Sequence, residues 1–152
     1  MKEARLVVDD SSFSFRPPGP ATGEVVLLLD GTAFPLAGWN DFVVVIVDAW
    51  ISSLLRILQR ASETERVHFM EGPYAVDIGP LEGNSLRLRA FKRSDSEHTA
   101  LDVLFLPLVE SAISAAEDVL RASRNARHRS RDTDHLDTAL VALQMEVSKF
   151  RN

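Results

Sequence analysis

The run from Phe42 to Leu58 constrains the fold more than any other part of this chain. Val43-Val44-Val45-Ile46-Val47 has the β-branched composition of a strand. The apolar pattern nevertheless continues through Trp50, Leu54, Leu55, Ile57 and Leu58 for about five helical turns, well beyond a strand of typical length. Phe42, Ile46, Trp50, Leu54 and Leu58 fall at steps of four along one helical face. The spacing predicts a helix over about 40–60, opened by Gly38-Trp39-Asn40-Asp41 with Asn40 or Asp41 as cap. Its first two turns are apolar nearly all round, which demands burial on several sides or a partner on the exposed one. Burial between a sheet and two later helices is the expectation, with Trp39 and Trp50 as anchors. Asp48 sits inside this apolar surface, on the face of Val44, Val45 and Leu55. A carboxylate there must be paired, solvated at an edge, or part of a contact surface.

The flanking sequence reads as strands and two further helices. Glu3 to Val8 alternates weakly, and Arg16-Pro17-Pro18-Gly19-Pro20 excludes helix and central strand. Glu24 to Leu29, the Asp30-Gly31 turn and Thr32 to Pro35 complete a small antiparallel meander. Val67 to Met70 and Tyr74 to Ile78 flank Glu71-Gly72-Pro73. Leu86 to Phe91 alternates, placing Leu86, Leu88 and Ala90 towards the core and Arg87 and Arg89 towards water. Ser94 to Glu97 is a polar loop, followed by a strand near 99–104. Pro107, tolerated in a first turn, starts a helix over about 106–124. A polar connection leads to a last helix, capped by Thr133 or Asp134 and ending near Phe150. The expected fold is α+β in a single domain over 1–152. It comprises one antiparallel sheet of about five to six strands with three helices packed largely on one face.

Few patterns that carry chemistry are present. There is no cysteine, hence no disulfide or thiolate zinc site. The chain has no Gly-rich phosphate loop, no Gly-x-Ser-x-Gly elbow and no His-Glu-x-x-His pair. No two of His68, His98, His128 and His135 stand at the close spacing of metal ligands. Asp132 and Asp134 suit a helix start, where carboxylates cap free N–H groups. The basic run Arg121, Arg124, Arg127, Arg129 and Arg131 has no interleaved aromatic residues for stacking on bases. With a net charge of −5, nucleic acid is not an expected partner. Met1 to Asp10 lacks the apolar core of a signal peptide. The stretch from Phe42 to Leu55 is shorter than the roughly 20 residues of a membrane span. A cytoplasmic location without membrane contact is therefore expected. No catalytic residue, cofactor or metal ligand is assigned.

Several short motifs carry a resemblance. Phe34-Pro35, then Gly38-Trp39-x-Asp41-Phe42, then Trp50 and Leu54 resemble a pattern in small bacterial immunity proteins of polymorphic-toxin systems. Phe69-Met70-Glu71-Gly72-Pro73-Tyr74 is similar to the glycine-containing hairpin that follows in that group, and the likeness spans roughly residues 24–120. It implies a non-catalytic protein that binds a cognate toxin and blocks it, with Asp41, Asp48, Glu71 and Tyr74 as contact residues. An acidic chain facing a basic toxin would gain association rate by electrostatic steering. A second reading is a self-associating structural or accessory protein. Leu136, Leu140, Leu143, Val147 and Phe150 form an a/d stripe that could pair across a two-fold axis, or pack on the domain itself. A third is a small enzyme whose dispersed residues, such as His98, leave no motif.

Overall fold

The computed structural model describes residues 1–95 and 97–151. Ser96, in the expected polar loop, and Asn152 lie outside the described residues. The chain runs β1 (Ala4–Ser14), β2 (Thr22–Leu29), β3 (Thr32–Phe34), β4 (Asn40–Asp41), α1 (Val43–Leu58), β5 (Glu65–His68), β6 (Tyr74–Glu82), β7 (Ser85–Lys92), β8 (His98–Leu104), α2 (Phe105–Asn125) and α3 (Arg131–Arg151). The class is α+β and every strand pair is antiparallel, as expected. The strands divide, however, between two four-stranded sheets. One has the order β1-β2-β3, with β4 also paired to β2; the other runs β5-β6-β7-β8. The two meet at their edges, where Lys2 bridges Val103 in parallel and the Leu104 N–H donates to the Lys2 carbonyl at 3.2 Å. The chain leaves the first sheet through α1, so the second grows as a separate meander and pairs its backbone with the first at this seam.

Local chemistry accounts for the hairpins. Asp30 and Gly31 both have positive φ, 50° and 86°, as a two-residue turn of the primed type requires between right-twisted strands. Inward positions of β2 (Val25, Leu27, Leu29) and β7 (Leu86, Leu88, Ala90) are buried, while Arg87 and Arg89 face outward as their alternation predicts.

The helices fill the space behind the sheets. Val43, Val44, Ile46, Val47, Trp50, Ile51, Leu54 and Ile57 of α1 are buried among both sheets, α2 and α3. The all-round apolar start of α1 is therefore the centre of the molecule. The β-branched run stays helical because burial on several sides outweighs a propensity deficit of a few tenths of a kcal/mol per residue.

The helix ends depart from common usage. At α1, Arg60 N–H donates to the Ile57 carbonyl and Ala61 N–H to that of Arg56. At α2, Arg127 N–H donates to the Arg124 carbonyl and His128 N–H to that of Ser123. Both are Schellman closures, yet the left-handed position is filled by arginine, at φ 61° and 52°, where glycine is usual. At the start of α3, Ser130 and Thr133 bond reciprocally, N–H to side-chain oxygen, at 2.9 and 3.2 Å. This capping-box arrangement makes Ser130 the cap, one turn earlier than the sequence suggested.

Two stability outcomes follow. Arg127→Gly relieves the left-handed strain and should raise stability by about 0.5–1 kcal/mol, read as a higher urea midpoint. Leu143→Ala, at a fully buried position of α3, should cost about 2–5 kcal/mol, whereas Val141→Ala, 53% exposed on the same helix, should stay within about 0.5 kcal/mol.

Candidate functional site

The best-organised polar group is Asp41, which is completely buried. Its carboxylate accepts the Phe42 N–H at 2.7 Å, the Trp39 indole Nε1–H at 2.9 Å, and the N–H groups of Met70 and Glu71 at 3.0 and 3.2 Å. It thus joins the entrance of α1 to the turn between β5 and β6. Above it Trp39, Phe34, Phe69 and Tyr74 pack edge to face, with centroids 5.4–6.4 Å apart. Gly72 lies against this cluster, where an added Cβ would stand 2.8 Å from the Trp39 ring. The turn is thereby pressed onto the indole. Burial corrects the assignment of Asp41 as a partner contact. It does not cap α1 through a side-chain bond to the first turn either; Phe42 occupies the N-cap position. Asp41 positions what surrounds it.

Around the clamp the surface is apolar. Leu36 is 59% exposed and Met70 48%. Leu36 sits in the turn whose carbonyl accepts the Trp39 N–H, and Met70 follows the buried Phe69. Phe34, Trp39 and Tyr74 of the cluster are half-buried, and Glu71 is exposed. Of the four expected contact residues, Glu71 and Tyr74 reach this surface. Asp48 does not belong to it. Both its carboxylate oxygens lie 2.8–2.9 Å from His135 Nδ1, which pins α1 to α3. His135, one of four histidines without a motif, thereby acquires a structural role. No local signal could have found this pair, whose members are 87 residues apart.

The stripe on α3 is spent within the molecule. Leu136, Leu140, Leu143 and Val147 are buried in the core, and Phe150 packs edge to face on Phe105 at 5.2 Å. A homodimer through these five residues would need the same side chains twice.

A second surface was not foreseen. The outward face of β5–β8 carries the exposed or half-exposed side chains of Arg66, Asp77, Arg87 and Arg89. Arg66 and Arg89 both bond Asp77, at closest distances of 2.6 and 2.7 Å, and both guanidiniums lie over the Phe91 ring, at 4.9 and 4.3 Å. The bonds from Arg66, reinforced by those from Arg89, hold the Asp77 carboxyl below the ordinary aspartate range, against the opposing effect of partial burial. Burial, then Arg93 and Arg66, holds His68 below the ordinary histidine range. It therefore stays neutral at pH 7 and accepts a hydrogen bond from Arg93 at 2.9 Å.

Among the described residues no group of three or more His, Asp or Glu side chains is placed to hold a metal ion. Among the same residues no helix is long and apolar enough to cross a membrane. No family model, curated protein or solved structure matches this chain.

Asp41→Ala leaves four part-buried donors without their acceptor and should cost about 2–4 kcal/mol by urea unfolding, with Asp41→Asn costing less because an acceptor oxygen remains. A lowered folded-state pKa means that Asp77 stabilises fully above its unfolded value of about 3.9, and that this contribution is lost as pH falls through the folded value. Unfolding midpoints followed from pH 7 down to pH 2 should accordingly fall less steeply below about pH 4 in Asp77→Asn than in the parent protein.

Proposed function

We propose that this chain is a non-catalytic, toxin-neutralising immunity protein of the cytoplasm, binding its cognate toxin stoichiometrically and blocking it. The observation that carries this reading is the exposure of Leu36 and Met70, in the two segments that hold Trp39 and Phe69 of the cluster and are tied to Asp41. Exposed apolar side chains on a rigid base are suited to binding another protein, because little conformational entropy is lost on contact. Methionine and aromatic residues are also the types that interface centres favour. Part of the resemblance meets in the same place: Phe34, Trp39, Asp41 and the Phe69–Tyr74 turn form one cluster, while Trp50 and Leu54 lie in the core.

The test is competition between sister cells of the native host. Deleting the gene should make cells sensitive to neighbours that carry the intact system, and the parent gene should restore resistance. Unchanged competition after deletion would overturn the reading. Met70→Asp and Leu36→Asp lie on the surface and should keep the parent unfolding midpoint. Restoration by the double variant should nevertheless fail, with affinity for the toxin reduced by about two orders of magnitude.

A further inference from the structure

We propose that the outward face of β5–β8 is a docking surface for an acidic polypeptide segment of the partner protein, gripped by Arg66, Arg87, Arg89 and Arg93. The inference rests on the protein-binding reading above and adds the chemistry of the partner. Register places Arg66, Asp77 and Arg89 side by side across three strands, with Arg87 two residues along β7 opposite Asp102. Arg93 follows β7, and its N–H donates to the Pro73 carbonyl at 2.7 Å, so this face begins where the Met70–Glu71 turn ends.

The donors outnumber the acceptors where the face meets that turn. Arg66 and Arg89 share the single carboxylate of Asp77, and Arg93 has neutral His68 as its side-chain partner. Each guanidinium has five N–H donors, so most still point to solvent. Stacking on Phe91 fixes the planes of Arg66 and Arg89 before any ligand arrives, which lowers the ordering cost of bidentate carboxylate binding. Arg87 is bonded to Asp102 of β8 at 3.2 Å, both half exposed, so this end of the face is balanced. Other exposed carboxylates of the chain are Glu82 on the far hairpin and Asp95 and Glu97 in the loop after β7.

A nucleic acid fits this surface less well. Phe91 is capped by two guanidiniums and only 9% exposed, so it offers no platform for a base; the other rings in its row are the imidazoles of His68, bonded to Arg93, and His98. The contact chemistry here is also opposite to what the net charge of −5 implies for the molecule as a whole.

Titration of the isotope-labelled protein with poly-L-glutamate at low salt tests the proposal. Saturable binding should shift backbone resonances along β5–β8 and weaken with added salt. Arg87→Glu with Arg93→Glu leaves the Arg66–Asp77–Arg89 unit intact and should weaken binding by at least about tenfold. Should that variant fail to fold, Arg87→Gln with Arg93→Gln gives the same reading with a smaller loss. Absence of saturable binding, or an unchanged affinity in the folded double variant, would overturn the proposal. So would shifts confined to Arg124–Arg131, or tighter binding of a single-stranded oligonucleotide of equal charge. Sensitivity of the deletion strain without poly-L-glutamate binding would remove this inference and leave toxin neutralisation standing. Binding without sensitivity would do the reverse.

Discussion

A carboxylate excluded from solvent must find its hydrogen bonds inside the protein, and Asp41 finds four. Their donors come from segments about thirty residues apart, on either side of α1. The entrance of the central helix, the first sheet through β4, and the turn between β5 and β6 are thus held by one side chain. The aromatic cluster above it depends on the same contacts, since the Trp39 indole is oriented by its bond to Asp41. The surface proposed to meet a partner owes its rigidity to a group that no partner can touch.

The elements were largely legible in the sequence because each followed from a local pattern. Steps of four from Phe42 to Leu58 gave α1, alternation gave β7, and Pro107 marked the opening of α2. Division into two sheets was not legible, because the seam between Lys2 and Val103 is a long-range pairing between segments with no distinctive composition. Arginine at two helix ends removed the glycine that normally announces a stop. The site was legible only in part. Trp39, Asp41, Glu71 and Tyr74 stood out as residue types at suggestive spacings, but their spacing did not reveal that Asp41 lies inside and Tyr74 only half so. Asp48 and His135, and likewise Arg66, Asp77 and Arg89, become partners only through tertiary structure.

Charge is distributed unevenly over the molecule. A net charge of −5 describes the field at a distance, whereas arginines dominate one end of the outward face of the second sheet. Long-range attraction and local fit therefore need not select the same chemistry. The apolar turn and the arginine-bearing strands adjoin through Arg93 and Pro73, so a single partner could engage both.

The seam between the sheets has a consequence for the order in which the molecule is completed. β1 is synthesised before the other elements, yet Lys2 just ahead of it pairs with Val103 of β8, about a hundred residues later. The Leu6 N–H waits still longer for its acceptor, the Ser111 hydroxyl of α2, at 2.8 Å and 105 residues away. During synthesis the first hairpin forms with one side unclosed, and its inner face has no cover until the helices arrive. Closure of the core is thus a late event that spans most of the chain, and such non-local pairing slows folding and prolongs exposure of apolar surface. The nascent chain is most vulnerable to aggregation between the appearance of β2 and the docking of α2.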